Sequence, residues 1–337
     1  MNRLLYSHRV PELSVVLATI QSFEGIELTV AHLRDQEEHE KIELVIVTSS
    51  ESVLRLPDDG VEGFAAVRIV EVGQVSSLGS GNAAGVKAAT APLIALAEDH
   101  AFPEAGWAGA LIEAHRGPWS VVGPVVSNFN PGSAVSQTDF IVGYGLWEAG
   151  RHREGKEVNL LPGHHSCYKR DVLLSLGSEL EAMLETETVL HWKLHEEGHR
   201  LWLEPKARLH HVNFSLWRSL LPLHFHLGRA FAASRSKQWN RTRRLLYAVA
   251  SPLIPAVRLK RLLGSIRQLP SPGTVIALLL VLATDAVGQF CGYFTGRGVI
   301  PQWLQEMEFN RIHHLRRRDR AILRALRASF RERCINA

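Results

Sequence analysis

The chain has 337 residues, of which 46% are apolar and 21% are charged, so its composition excludes wholesale disorder and allows a sizeable core. Its net charge of +4 is the sum of two oppositely charged parts, because residues 205–337 hold 23 of the 38 Lys and Arg but only 5 of the 34 Asp and Glu. The C-terminal part therefore carries +18 and the N-terminal part −14, which is typical of an acidic or metal-binding part joined to a basic part that meets an anionic surface.

The cysteine content and the N-terminus both indicate a protein that stays in the cell. Cys167, Cys291 and Cys334 are odd in number and far apart in sequence, so we expect no disulfide framework and a reducing compartment. The first residues lack the apolar core of a secretory signal peptide. We therefore expect a cytoplasmic protein.

Four runs of β-branched and aliphatic residues predict buried strands in the first hundred residues. They cover residues 13–19, 42–48, 67–72 and 93–97. Helical patterns separate these runs, and such alternation predicts an α/β fold with a doubly wound, mostly parallel sheet. Ligands bind beyond the carboxyl ends of the strands in sheets of this kind, so residues at those ends are the first candidates for a site.

The region that follows has a mixed pattern of short strands and loops, and one clear helix is predicted over residues 186–197, where Gly198 ends it. Residues 195–199 match the H-E-x-x-H motif of zinc peptidases. That motif needs an uninterrupted helix, which the glycine does not allow, so we keep a peptidase only as a remote alternative. We expect His191, His195 and His199 to form a solvated stripe.

The C-terminal part is basic and apolar, and no Asp or Glu occurs from residue 212 to residue 284. Segments 216–233 and 241–263 and the amphipathic tail from residue 311 favour contact with an anionic membrane surface. Residues 274–295 would span a bilayer only with Asp285 and Gln289 inside it. The alternative is a helical subdomain packed on the first part. No nucleic-acid-binding motif accompanies the charge.

The order of several motifs resembles that of a family 2 glycosyltransferase with the GT-A fold. The matching motifs, between about residues 11 and 213, are LSVVLAT, IELVIVTSS, SLGSGNAAGVKAATAPLIALAEDHAFPEAGW, LPGHHSCYKRDVL and TETVLHWKLHEEGHRLWLEPKARLHH. The resemblance implies a catalytic domain over residues 1–213, with a nucleotide-sugar half at 1–107 and an acceptor half at 108–213. Residues 214–337 would form a basic helical extension.

The resemblance also implies a metal site and a general base. Glu98 and His100 occupy the family's Asp-x-Asp positions, and His211 matches its strand-end histidine, so these residues would hold Mn²⁺ or Mg²⁺ on a diphosphate. The histidines favour Mn²⁺. Glu187 occupies the position of the catalytic base, with Glu185 as an alternative. The structural alternatives are a helix N-cap at residues 98–100 and an acidic first turn at Glu187.

Further residues would bind the two substrates. The donor-binding candidates are Thr19, Ser49, Gly79, Asn82 and Asp99. The loop of residues 79–85 would bring small residues close to the diphosphate. The acceptor-binding candidates are His164, His165 and Trp147. Ala18-Thr19-Ile20 stands where the family has Pro-Thr-Tyr, and Thr48-Ser49-Ser50 stands where it has Asp-Asp-Gly, so both acidic residues are lost and the nucleotide base stays open.

These observations predict an inverting, metal-dependent glycosyltransferase that uses a nucleotide-diphosphate sugar. Its acceptor would be a sugar or lipid-linked hydroxyl, as in polysaccharide biosynthesis, and the protein would be peripheral or monotopic at the inner face of the cell membrane. The alternative from another class is a non-catalytic, membrane-bound module that binds sugars or nucleotides on the same scaffold, and we expect no nucleic-acid partner.

Overall fold

The computed structural model describes residues 2–57, 59–263, 270–299 and 302–336. Its strands are β1 (Asn2–Ser7), β2 (Leu13–Ala18), β3 (Ile42–Thr48), β4 (Ala66–Glu71), β5 (Leu93–Ala97), β6 (Ala101–Pro103), β7 (Val121–Asn128), β8 (Lys156–Val158), β9 (Cys167–Lys169) and β10 (Leu201–His211). Its helices are α1 (Phe23–Arg34), α2 (Glu51–Leu54), α3 (Leu78–Ala88), α4 (Trp107–Ala114), α5 (Ala134–Tyr144), α6 (Arg170–Ser175), α7 (Leu180–Leu184), α8 (Glu187–Glu196), α9 (Trp217–Arg235), α10 (Arg241–Ala250), α11 (Ile254–Leu263), α12 (Pro272–Thr295), α13 (Gln302–Phe309) and α14 (Arg317–Asn336).

The chain divides into two compact units. The first contains residues 1–127, 149–211 and 321–337, and the second contains residues 128–148 and 212–320. Residues 128–148 thus group with the C-terminal helices, and the end of α14 groups with the sheet. The division between residues 213 and 214 that the sequence suggests stays a prediction.

All the strands of the first unit form one mixed sheet in the order β1-β4-β3-β2-β5-β9-β7-β10-β6, with β8 paired to β10. Strands β4, β3, β2 and β5 are parallel. The strands beyond β5 pair antiparallel where their registers are defined, as β9 does with β5 and β6 does with β10. The predicted α/β fold is confirmed, and the parallel pairing is concentrated in its first half.

The buried parallel strands explain why the first unit has a continuous core. Every residue of β2, β3 and β5 is buried, and these strands consist mainly of Val, Ile, Leu and Ala. The chain runs from β2 to β3 and β4 on one side of β2 and then crosses to β5 on its other side, so the carboxyl ends of β2 and β5 flank the point where the strand order reverses. A crevice at such a point is where doubly wound sheets bind ligands.

Helix α3 contacts this sheet more closely than an ordinary helix, and its glycines make that possible. A Cβ on Gly81 would lie 2.7 Å from the Cβ of Ala18, and a Cβ on Gly85 would lie 2.3 Å from Cγ1 of Val16. The segment predicted as a loop over residues 79–85 is therefore the first part of a helix. Ser77 caps that helix and forms a reciprocal capping box with Ser80.

The second unit is helical, with α9 and α12 packed backbone to backbone. A Cβ on Gly288 would lie 2.0 Å from the carbonyl oxygen of Phe225. Helix α12 is long and apolar enough to cross a membrane, yet half of its most apolar window is buried. Its Asp285 carboxylate accepts from Arg258 at 2.7 Å and from Gln289 at 2.8 Å, so these polar groups are paired within the unit.

Part of the basic C-terminal tail is paired with acidic residues of the protein itself. Arg327 Nη1 donates to Glu24 at 2.8 Å, and Arg331 makes two bonds of 2.7 and 2.8 Å to the Glu27 carboxylate. This end of α14 therefore lies on the acidic face of α1 in the first unit. Cys167 and Cys291 are free, as expected, and the side chain of Cys334 lies outside the described part.

We predict that Gly85→Ala destabilises the first unit by about 1–3 kcal/mol, because the added methyl meets the stiff side chain of Val16. Gly143→Ala in α5 is the matched control. Nothing lies within 4 Å of a Cβ at that position, so helix propensity alone should leave stability unchanged or raise it by up to about 1 kcal/mol. Urea unfolding of the full chain measures both. Equal stabilities of Gly85→Ala and Gly143→Ala would contradict the close contact between α3 and the sheet.

Candidate active site

A short turn between β5 and β6 carries the first group of candidate residues. Glu98, Asp99 and His100 follow the last residue of β5, and β6 begins at Ala101. Because β5 is buried along its whole length, the turn emerges from the core, and Glu98 and His100 are only 4% and 5% exposed. The predicted metal residues are therefore inside the protein and not on a solvated loop.

Two antiparallel pairings bring distant histidines to this turn. Strand β10 pairs with β6 so that His211 lies opposite Ala101. Strand β9 pairs with β5 so that Cys167 lies opposite Ala95, and continuing this register backwards brings His165 beside the end of β5. Residues separated by more than sixty positions along the chain thus meet at one place.

The side chains converge on one carboxylate oxygen. Glu98 Oε2 lies 3.2 Å from Nε2 of His100, 3.3 Å from Nε2 of His165 and 3.5 Å from Nε2 of His211. Ligand atoms of Glu98, His100 and His211 all lie within 4.8 Å of one another. His165 and His211 are 1% and 2% exposed. The structure joins the three predicted metal residues and adds His165, which the sequence assigned to the acceptor side.

Burial and neighbouring groups shift the pKa values of Glu98 and His165. Burial raises the pKa of the Glu98 carboxyl, but the imidazoles of His100, His165 and His211 outweigh that effect and hold the pKa well below its usual range. Burial lowers the pKa of His165 well below its usual range, and Glu98 only partly opposes the shift. An ionised carboxylate and a neutral imidazole are the forms that bind metal ions.

Asp99 orients one of these histidines. His100 Nδ1 lies 2.5 Å from Asp99 Oδ1, so that nitrogen donates to the carboxylate. Carboxylate–imidazole pairs of this kind accompany most metal-bound histidines. Asp99, which the sequence assigns to the donor, contacts the metal candidate beside it.

The donor spacing in the cluster fits a divalent cation. Bonds of about 2.1 Å in a tetrahedral shell separate neighbouring ligand atoms by roughly 3.4 Å. The contacts of 3.2–3.5 Å around Glu98 Oε2 agree with that spacing. The donor set could therefore hold a divalent metal ion.

The second carboxylate of the site is that of Glu187, in the first turn of α8. Its Oε1 contacts Nδ1 of His164, the residue before His165. Gly163 makes this approach possible, since a Cβ there would lie 2.2 Å from the Cβ of Glu187. Glu185, the alternative base, instead accepts a bond of 3.0 Å from the Gly79 backbone at the first turn of α3. This contact leaves Glu187 as the carboxylate beside the histidine cluster.

The donor candidates lie along the carboxyl ends of β2 and β3 and on α3. Thr19 is fully buried and its Oγ1 accepts from the backbone of Gln21 at 3.0 Å. The Ser49 carbonyl accepts from Gly73 at 3.1 Å. Asn82 is 1% exposed, and its Oδ1 has no hydrogen-bond partner in the described part of the chain. Their part in donor binding stays a prediction, as does the acceptor role of Trp147, which belongs to the second unit.

The H-E-x-x-H segment does not form a zinc-peptidase helix. Helix α8 ends at Glu196, and Gly198 has a φ of +86°. His199 Nδ1 lies 2.8 Å from Ser120 Oγ. The expected solvated stripe is wrong for His191, which is fully buried, lies 2.9 Å from the Tyr168 hydroxyl and has its pKa lowered to about 3 by burial.

Comparison with known proteins adds a family and a fold. Residues 14–177 match the sequence model of Glycosyl transferase family 2. No protein of curated function matches the chain significantly. Among solved structures, GalNAc-T7 with UDP, GalNAc and Mn²⁺ aligns with a TM-score of 0.50 and 14% identity. That alignment covers 72% of this chain and 51% of the other, so this chain spans about half of that protein's length.

A second solved structure, S. aureus TarS 1–349 in complex with UDP, aligns with a TM-score of 0.46 and 14% identity over 83% of this chain and 90% of that one. At this identity the structural comparisons concern the fold, whereas the family match concerns the sequence that carries Glu98, His100 and His165. Residues 14–177 are therefore similar in sequence to glycosyl transferase family 2, and the chain has a GT-A-type fold.

Proposed function

We propose that the protein transfers a sugar from a nucleoside diphosphate to an acceptor hydroxyl, with inversion and with a divalent metal ion. One observation carries the proposal: a buried carboxylate–imidazole cluster and a second carboxylate meet through the consecutive residues His164 and His165. The cluster suits a diphosphate-bound cation, and the second carboxylate suits a general base. Both are needed for direct displacement at the sugar carbon.

Glu98, His100 and His211 would hold the metal ion, with Asp99 fixing the ring of His100. A bound divalent cation supplies positive charge that neutralises the diphosphate as it leaves. Because imidazole nitrogens suit Mn²⁺ better than Mg²⁺, Mn²⁺ is the preferred ion. GalNAc-T7 was crystallised with Mn²⁺ and UDP, which makes these the first metal and nucleotide to test.

The donor would lie over the carboxyl ends of β2 and β5. Thr19 and Ser49 follow β2 and β3, and the buried Oδ1 of Asn82 could accept a hydrogen bond from the donor. The glycines of α3 allow close packing on the sheet, and the backbone N–H of Gly79 already donates to Glu185. The contribution of α3 to the donor site is therefore chiefly the side chain of Asn82.

Glu187 would act as the base. Its carboxylate takes the proton of the acceptor hydroxyl as that oxygen attacks the sugar carbon. The new carbon–oxygen bond forms on one face while the bond to the diphosphate breaks on the other, and the diphosphate leaves with the electron pair. The contact with His164 holds the carboxylate in one orientation. His164 thus positions the base.

Glu187→Gln should lower the transfer rate by about 10²- to 10⁴-fold, because the amide cannot take the proton. UDP affinity should be unchanged, since the side chain belongs to the acceptor side. The rate of sugar release from UDP-sugars with Mn²⁺ and calorimetric UDP binding measure the two properties.

Glu196→Gln, at an exposed position on the same helix, is the matched control and should behave like the wild type. Equal rates for Glu187→Gln and wild type would exclude Glu187 as the base. A wild-type protein that binds UDP but turns over no sugar nucleotide would support the non-catalytic module instead.

Asp99→Ala should weaken Mn²⁺ binding by about 10- to 100-fold, because the ring of His100 loses the carboxylate that fixes it. Asp99→Asn keeps an acceptor oxygen at the same position and should therefore lose less Mn²⁺ affinity than Asp99→Ala. Titration of the purified protein with Mn²⁺, followed by the EPR signal of the free ion, measures both. If Asp99→Ala bound Mn²⁺ as tightly as the wild type, the Asp99–His100 pair would not belong to a metal site.

The second unit would hold the enzyme at a membrane. It carries most of the large apolar side chains that are exposed in the described part of the chain. On α10 and the turn after it, Leu246, Val249 and Leu253 are 65%, 68% and 66% exposed, and on α12 Ile276 and Phe294 are 61% and 63% exposed. A face of this kind on a monomer marks an interaction surface.

An anionic lipid surface is the occupant that the charges favour. Arg241, Arg243 and Arg244 begin α10, immediately before its apolar residues, and no acidic residue occurs between positions 212 and 284. Apolar side chains flanked by arginines are typical of helices that lie in the bilayer interface. Binding to a membrane would suit a lipid-linked acceptor, as in polysaccharide assembly on the cytoplasmic side.

Val249→Glu should reduce binding to vesicles that contain phosphatidylglycerol by about tenfold, because a buried valine contributes roughly 1.5 kcal/mol and the added charge faces anionic lipid. Val10→Glu is the matched control, at a valine of the first unit that is 91% exposed. Co-sedimentation with vesicles measures both. Equal binding of the two variants, or no binding by the wild type, would contradict the membrane face.

A further inference from the structure

We propose that the buried pair of His191 and Tyr168 positions the general base, Glu187. The pair holds the segment that carries His164 against the first turns of α8. The inference rests on the proposed role of Glu187 and adds two positioning residues to it. Both of these residues act through the base and the segment beside it.

Helix α8 presents the base and His191 on one face. Glu187 lies in its first turn, and His191 follows four residues later, which is the spacing of neighbours on a helix face. On that face Glu187 contacts His164. His191 contacts Leu161 and Tyr168 there. The segment that faces the base is therefore also the segment that His191 holds.

The backbone N–H of Leu161 fixes the tautomer of His191. It donates to Nδ1 of the ring at 3.5 Å, so this nitrogen is the acceptor. Burial lowers the pKa of His191 to about 3, so the ring is neutral and carries its proton on Nε2. Nε2 then donates to the hydroxyl of Tyr168 at 2.9 Å.

The Tyr168 hydroxyl continues this chain of hydrogen bonds to the residue before His164. Burial and the nearby Glu187 carboxylate raise the pKa of the hydroxyl well above its usual range, so the hydroxyl stays protonated. It donates to the Gly163 carbonyl oxygen in a long contact of 3.4 Å. The imidazole and the phenol together therefore hold the segment at two peptide units, those of Leu161 and Gly163.

The place of these bonds beside the base gives the polar pair its role. His191 and Tyr168 are fully buried, and apolar side chains would fill the same volume without losing hydrogen bonds to water. Hydrogen bonds add direction, because they fix the peptide units on which they act. One of those units adjoins the base, since a Cβ on Gly163 would lie 2.2 Å from the Cβ of Glu187. A displacement of about 1 Å at a reacting group can lower a rate by about 10²-fold.

Tyr168→Phe removes the hydroxyl and keeps the shape of the ring. In the full-length protein it should lower kcat for sugar release from UDP-sugars with Mn²⁺ by about tenfold and leave the KM for the UDP-sugar unchanged, because only the base is displaced. His191→Gln, whose amide can still donate to Tyr168, should retain more activity than His191→Leu. Ser120→Ala is the matched control and should keep the wild-type rate. It removes a hydroxyl–imidazole contact of 2.8 Å with His199, beyond the far end of α8.

A double variant separates positioning of the base from a general loss of structure. If the pair acts through the base, Tyr168→Phe combined with Glu187→Gln should release sugar no more slowly than Glu187→Gln alone. Losses that multiply in the double variant, or a wild-type kcat in Tyr168→Phe while Glu187→Gln loses activity, would overturn the positioning role and leave the proposed function intact. Equal rates for Glu187→Gln and wild type would instead overturn the role of the base, and the inference with it.

Nitrogen NMR of the wild type tests the arrangement without any substitution. At neutral pH the ring of His191 should carry its proton on Nε2, with Nδ1 as the acceptor of the Leu161 N–H. A proton on Nδ1 would exclude that hydrogen bond and overturn the proposal, even if the variants fold poorly.

Discussion

The site depends on two antiparallel strand pairings on either side of the turn after β5. Pairing of β10 with β6 brings His211 to that turn, and pairing of β9 with β5 brings His165. The buried Glu98 carboxylate then meets three imidazoles within 3.5 Å. Concentrating these groups in the core costs desolvation energy, which a bound cation would offset. The sheet holds the cluster together, so its geometry does not rely on mobile loops.

The sequence predicted the parallel half of the sheet closely, because its strands are fully buried. The run at residues 93–97 is β5 itself, and the run at residues 42–48 is β3. The three-residue strands β6, β8 and β9 were not predictable, since they have no periodicity and exist only through long-range pairing. The same limit applied to the site. The motif predicted Glu98, His100 and His211 as metal ligands, whereas the place of His165 follows from a strand register that composition cannot reveal.

The structure explains two features that the sequence left open, namely the glycines of α3 and the unequal charge of the two parts of the chain. Gly81 and Gly85 permit contact with Ala18 and Val16, so a pattern typical of phosphate loops here serves close packing. Part of the C-terminal positive charge is used internally, where Arg327 and Arg331 bond to acidic residues of α1. On α10, Arg244 donates to the Tyr293 carbonyl at 3.0 Å, so part of that charge is also used within the second unit.

The central claim is that the Glu98 cluster binds the sugar donor through a divalent ion. The most direct measurement is calorimetric titration of UDP into chelator-treated protein and then into the same protein with Mn²⁺. We expect tight UDP binding only with Mn²⁺ and no gain in affinity from the ion in Glu98→Gln. Equal UDP affinity with and without the ion would contradict it.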